Sequence, residues 1–80
     1  MTVALRLFAQ AREAAGRASD QFDADTVGAV LDAACRRYGP DFAAVLDTAR
    51  VWVNGEPVDG LSSPVRDGDE VAVLPPVSGG

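Results

Sequence analysis

The sequence predicts an α+β domain, a mixed sheet with one main helix across one face. Two observations carry that expectation. Apolar stretches with a period of two lie near both ends of the chain, at residues 3–7 and 70–74. A single run of strong helical period lies between them, at residues 27–38. Eighty residues leave room for one domain. A chain of this size buries only roughly 60–65% of its unfolded surface, so its core must be simple.

Val3, Leu5 and Leu7 alternate with Ala4, Arg6 and Phe8, which gives a first strand with one buried face. Gln10–Gly16 reads as a turn or a short helical piece. Arg17–Asp23 can return as a second strand, with Phe22 its core residue, although Ala18, Ser19 and Asp20 are poor strand formers. Thr26 has the chemistry of a helix N-cap with Asp25 beside it. Val27, Val30, Leu31, Ala34 and Tyr38 follow at helical spacing, and Gly39-Pro40 stops the helix. Phe42, Val45 and Leu46 suggest one further helical turn packing beneath the fold.

Val51–Val53 reads as a strand ended by the turn signal Asn54-Gly55, and Pro57 keeps the next piece short or at an edge. Asp67-Gly68 marks another turn, and Glu70–Leu74 is the final strand. Pro75-Pro76 cannot continue a central strand, so the expected organisation is a domain over residues 1–74 and a flexible tail over 75–80. The first and last strands are the most apolar and belong together at the sheet centre. That arrangement is the β-grasp, the architecture of ubiquitin.

Composition excludes several chemistries. The formal net charge is −5, from seven arginines, no lysine and twelve carboxylates. Such a surface repels phosphate backbones and anionic lipid, which argues against nucleic acid or membrane as a partner. The acidity serves either solubility or steering toward a basic partner surface. No apolar run approaches the roughly 18 residues of a membrane span, and no signal-like segment opens the chain, so a cytoplasmic location is expected. Without histidine there is no Ser-His-Asp or Cys-His arrangement, and without lysine no Schiff base or Walker A loop. One cysteine and no histidine leave no ordinary zinc site. Cys35 is expected as a small buried apolar residue on the main helix. Asp67, Asp69 and Glu70 lack calcium-loop spacing and read as a solvated turn, with an electrostatic contact to a partner the alternative.

The remaining chemical feature is the end of the chain, Pro75-Pro76-Val77-Ser78-Gly79-Gly80. Two prolines stiffen its base in polyproline conformation, and two glycines remove side-chain bulk from its tip. Fully extended, six residues reach roughly 20 Å. Such a tail can enter a narrow tunnel in another protein and present the Gly80 carboxyl carbon there. A free carboxylate is a poor electrophile, and adenylation with ATP is the usual route to activate it. The acyl-adenylate can then accept sulfur to give a thiocarboxylate.

At these residues the chain resembles the small subunit of molybdopterin synthase, within the MoaD/ThiS group of ubiquitin-like sulfur carriers. Phe8-Ala9-Gln10-Ala11-Arg12-Glu13 is similar to the family's Phe-Ala-x-x-Arg-Glu. Thr26-Val27 with Leu31, Val53-Asn54-Gly55 and Asp67-Gly68-Asp69-Glu70-Val71 resemble further family segments. Pro75 to Gly80 is the most specific match.

The resemblance implies a non-catalytic sulfur-donor subunit that binds no cofactor itself. A ubiquitin-activating-type enzyme would spend ATP to adenylate Gly80, and a sulfurtransferase would supply sulfur. The tail would enter the large catalytic subunit, usually in an assembly of two small and two large subunits, and sulfur would pass to a cyclic pyranopterin precursor of the molybdenum cofactor. Gly79 would give access, with Val77 and Ser78 along the tail's path. Phe8 would either be an edge aromatic covered within the domain or form an apolar docking patch with Leu74 and Pro75, with Arg12 a partner contact or locally paired. Trp52 lies off the Val51/Val53 face, where docking and local packing are both open. Related carriers for thiazole or cysteine synthesis, and ubiquitin-like protein modifiers, share the fold and the Gly-Gly end.

Overall fold

The computed structural model describes residues 2–58 and 60–76. It contains five strands and three helices: β1 Thr2–Leu7, α1 Ala9–Ala15, β2 Ser19–Asp23, α2 Val27–Tyr38, α3 Pro40–Leu46, β3 Arg50–Val53, β4 Glu56–Pro57 and β5 Glu70–Leu74. The sheet order is β2-β1-β5-β3-β4. β1 and β5 pair in parallel at the centre, and the other pairings are antiparallel. This is the expected mixed-sheet β-grasp. Its main helix is α2, and the segments read as a short helical piece and a further turn are the helices α1 and α3.

The strand alternation has the predicted consequence. Val3, Leu5 and Leu7 of β1 and Val71 and Val73 of β5 are buried beneath the helices. Phe22 pairs with Val3 across β1–β2 and is buried with them. Val27, Val30, Leu31 and Ala34 supply the helical side of the core, spaced as one stripe of α2. Phe42 of α3 is fully buried and Ala11 of α1 closes the layer. Pro40 opens α3 at its first turn, where a missing N–H costs nothing.

Residues 60–65 are tied to the start of α2. The first N–H groups of a helix have no partner within it. Here Val27 N–H donates to Ser63 O at 2.9 Å and Gly28 N–H to Leu61 O at 2.7 Å. The Thr26 hydroxyl accepts from Ala29 N–H, which completes the cap. Gly28 is required by this approach, since a Cβ there would stand 2.9 Å from Leu61 O.

The β3–β4 hairpin turns on Asn54 and Gly55, both at positive φ as a two-residue turn demands. The Asn54 side chain then clasps β5. Its Nδ2 donates to Asp69 Oδ1 at 3.0 Å, and its Oδ1 accepts from Glu70 N–H at 2.9 Å. Asp69 also accepts from Arg66 N–H, and Asp67 accepts from Thr2 N–H at 2.8 Å. The hydrogen bonds from Asn54 and Arg66 hold the Asp69 carboxyl below the ordinary carboxylate range. The carboxylates at 67 and 69 are thus turn and strand-end caps. Among the described residues no group of side chains is arranged to hold a metal ion.

One polar network closes the β2 edge. Asp20 pairs with Leu5 in register and so faces the helices. Its Oδ2 accepts from Tyr38 Oη at 2.7 Å, from Arg37 at 2.9 Å and from Arg17 at 3.2 Å. Tyr38 packs edge-on against Phe22 and Phe42. Burial alone would raise the Asp20 pKa. The hydrogen bonds from Tyr38, Arg37 and the Gln21 amide outweigh it and hold the pKa at about 2.

A folded-state pKa below the unfolded value near 3.9 means stability that is full above that value and lost as pH falls through about 2. Tyr38→Phe removes the strongest lowering contact and leaves the ring. It should cost about 1–2 kcal/mol at neutral pH. It should also flatten the stability loss between pH 4 and 2, measured by denaturant titration at each pH. An unchanged acid profile would show that Asp20 is held by the arginines alone.

Candidate functional site

The open face of the sheet and the end from which the tail departs form the candidate site. Register places its residues without ambiguity. Arg6 lies opposite Ala72, and the adjoining Phe8 N–H donates to Val73 O at 3.3 Å, so Phe8 continues the ladder beside Leu74. On the other side of β5, Arg50 pairs with Leu74 and Trp52 with Ala72, while Pro57 pairs with Trp52. Side chains two apart in a strand share a face. Phe8, Leu74, Ala72 and Trp52 therefore share the sheet surface opposite the helices, with Arg6, Arg50 and Glu70 among them.

Phe8 is 41% exposed, one of two large apolar side chains left so open among the described residues. Ala9 explains why. It adopts a φ of 50°, a left-handed conformation unusual for alanine. The chain therefore turns off the sheet into α1 directly after Phe8, leaving the ring at the sheet's end. The Arg6 guanidinium stands 5.9 Å from that ring. Leu74 and Pro75 are half-buried. The structure thus brings Phe8 and Leu74 together at the point where β5 ends and Pro75-Pro76 begins.

Arg12 is exposed in the last turn of α1, whose N-terminus is Phe8. No ion pair engages it among the described residues. Trp52, undecided from sequence, is half-buried on the open face, in line with the patch. Val77, Ser78, Gly79 and Gly80 lie outside the described residues.

Cys35 departs from its expectation. It is half-buried rather than buried, because α2 turns it toward a groove between α2, α3 and residues 57, 58, 60 and 61. The groove holds about 630 Å³ and is lined by Leu31, Leu46, Val51, Val58 and Leu61. Burial, and then the charge of Asp32, push the thiol pKa up, the opposite of what a nucleophile needs. The groove lies on the helix side, away from Phe8 and Leu74. Sequence reasoning missed Arg6 and Arg50 as companions of the patch. The β3–β5 register that places Arg50 beside Leu74 is a long-range pairing with no local signal.

Known proteins share this fold. The chain is 38% identical to the molybdopterin synthase sulfur carrier subunit of Aedes aegypti, over 98% of this chain and 88% of that protein. SAMP1 from Haloferax volcanii superposes with a TM-score of 0.87 at 35% identity, covering 100% of both chains. A chain from the complex of subunits 1 and 2 of the molybdopterin-converting factor of Helicobacter pylori matches with a TM-score of 0.75 at 26% identity, again over 100% of both. The model of the ThiS family matches residues 5–80, nearly the whole chain, and this protein belongs to that family.

Proposed function

We propose that this chain is the sulfur carrier subunit of a molybdopterin synthase. The observation that carries the reading is the placement of an exposed aromatic–aliphatic pair, Phe8 and Leu74, at the strand end that leads into a Pro-Pro-Val-Ser-Gly-Gly tail. A partner that grips this end receives the tail. The similarity to the Aedes aegypti carrier subunit supports the same reading.

In this mechanism the Gly80 carboxylate attacks the α-phosphorus of ATP on an activating enzyme and displaces pyrophosphate. A sulfide equivalent from a sulfurtransferase then displaces AMP, leaving the thiocarboxylate. The tail enters the large subunit, which supplies the acid–base groups this chain lacks, and sulfur passes to a cyclic pyranopterin precursor. The domain contributes position: the sheet face docks, prolines 75 and 76 set the tail's direction, and glycines 79 and 80 leave the carbonyl uncrowded. Two sulfurs build the dithiolene, which fits an assembly with two carriers and two large subunits.

A second reading has its own support in the likeness to SAMP1, a small archaeal modifier protein. As a protein modifier, the activated Gly80 would instead form isopeptide bonds with lysines of target proteins.

The two readings separate by mass. Purified from cells with the activating system, the carrier should be heavier than the free acid by the difference between sulfur and oxygen. Mixed with precursor and large subunit, it should deliver at most one sulfur per chain. Without the large subunit it should deliver none. Deleting Gly80 should abolish transfer and leave the thermal melt unchanged, because the core ends at Val73. Transfer retained without Gly80, or recovery of the chain only as conjugates, would overturn the carrier reading.

Phe8→Ala tests the docking patch. Affinity for the large subunit should fall by about 2 kcal/mol or more, as for interface aromatics. Folding stability should fall by much less than the roughly 3–5 kcal/mol of a buried phenylalanine. Calorimetric binding and a denaturant melt on the same variant check both halves.

A further inference from the structure

The net charge of −5 suggests a carrier drawn to basic surfaces, yet the charges are segregated along the sheet. At the end away from the tail, strand pairing and turn contacts gather Asp23, Asp25, Glu56, Asp67 and Asp69, with Arg66 the arginine among the described residues there; the charge of the N-terminal amino group acts on Asp23, and Glu70 is engaged by Arg6. At the tail end the arrangement reverses. Arg50 stands opposite Leu74, Arg6 is two residues before Phe8, and Arg12 follows Phe8 by one helical turn. The carboxylates of that end do not offset them. Asp20 faces the helices and is held by Tyr38, Arg17 and Arg37. Glu13 neighbours Arg12 on α1, and Asp47 lines the helix-side groove that Arg50 also borders, but neither is within ion-pair distance of an arginine among the described residues.

The pairing of the arginines sharpens this. Arg6 reaches Glu70 at 3.7 Å, Arg17 and Arg37 bind Asp20, Arg36 binds Asp32, and Arg66 lies in the field of Asp69. Among the described residues, Arg12 and Arg50 have no acidic partner, and both are exposed at the tail end. Distance decides which charges a partner feels. β1 alone has six residues, roughly 20 Å at 3.3 Å each. That exceeds two Debye lengths of about 8 Å at physiological salt, so a surface docked at the tail end is largely screened from the acidic end.

We propose that the subunit receiving the tail presents an apolar socket for Phe8 and Leu74 rimmed by carboxylates, which meet Arg50 and Arg12. The proposal rests on the carrier reading above. The apolar pair is the anchor, and the arginines steer the tail end toward the socket and set orientation. The overall acidity then acts on the far end, disfavouring approach in the wrong orientation.

The test is the association rate of the full chain with the large synthase subunit, followed by stopped-flow fluorescence of Trp52 across ionic strength. The rate should fall by about tenfold or more as salt rises from low to high. Arg50→Glu and Arg12→Glu should each slow association several-fold at low salt and weaken its salt dependence. Glu56→Gln, at the far end, should leave the rate within about twofold. Circular dichroism melts confirm that each variant is folded. A rate that rises with salt, or one accelerated by Arg50→Glu, would mean a basic rim and overturn the proposal. Wild-type binding that ignores both salt and charge reversal would overturn it while leaving the carrier reading intact. No binding to the large subunit at all would remove the carrier reading, and the proposal with it.

Discussion

The parallel pairing of β1 with β5 is the constraint on which everything else depends. Because the two central strands run in the same direction, the end of the first and the end of the last lie side by side. Phe8 and Leu74 become neighbours for that reason alone. In an antiparallel pair Phe8 would lie beside the start of the last strand, with the tail departing from the opposite end. The same pairing sorts the side chains. Its inward set, Val3, Leu5, Leu7, Val71 and Val73, accounts for five of the buried core residues. Its outward set, with Phe8 and Leu74, lies on the open face of the sheet, the surface proposed to dock a partner. Core and docking surface are therefore the two faces of one strand pair, and neither can shift register without moving the other.

A parallel pair needs a long crossover, and here the crossover contains most of the molecule. Its closure combines apolar burial, with Phe22, Phe42 and Val65 among its buried side chains, and polar contacts at a few points. Loop carbonyls 61 and 63 satisfy the first amides of α2. Asn54 joins the β3–β4 turn to the start of β5 through hydrogen bonds in both directions. Asp67 ties the turn before β5 to the start of β1. At the opposite edge, Asp20 gathers Tyr38, Arg17 and Arg37, while Arg37 also donates to Gln21 O and Asp20 accepts from Gln21 N–H. Those last contacts occupy backbone groups of an edge strand that could otherwise pair with another chain.

What the sequence disclosed follows from how local each signal is. The alternation at 3–7 and 70–74 and the stripe of α2 are short-range, and their elements stand where the periods put them. The segment at 10–16 stayed open between turn and helix because nothing caps its start. Phe8 offers no side-chain cap, and the left-handed Ala9 is not a feature of any sequence pattern. The second strand, expected over Arg17–Asp23, begins at Ser19: Arg17 and Ala18 fall outside it, whereas Ser19 and Asp20 are held in it by pairing with β1 despite their poor strand propensity. The aromatic at the tail exit was legible, because Phe8 falls out of phase with Val3, Leu5 and Leu7. Arg50 was not, because its place beside Leu74 follows from an antiparallel pairing across twenty-three intervening residues. The Asp20 network was hidden for the same reason, since Tyr38 lies eighteen residues away.

A carrier must also let go, and the composition of the docking face suits that requirement. Each delivery consumes the sulfur, so the chain has to leave for recharging before it can serve again. An extended apolar face would give a long-lived complex. Here the exposed apolar surface at the tail end is small, centred on Phe8 and Leu74, with the smaller Ala72 and half-buried Trp52 behind it. Unpaired arginines beside a small anchor act mainly on the rate of encounter, whereas residence time depends on the buried contacts. On the proposed carrier reading, fast, oriented arrival with a modest anchor would let the chain exchange between an activating enzyme and a sulfur acceptor. The tail can then carry the chemistry without carrying the affinity. In the proposed mechanism that division would let a domain with no histidine, no lysine and a single cysteine of raised pKa serve a covalent reaction: its fold would supply the place and the direction, and partner enzymes the rest.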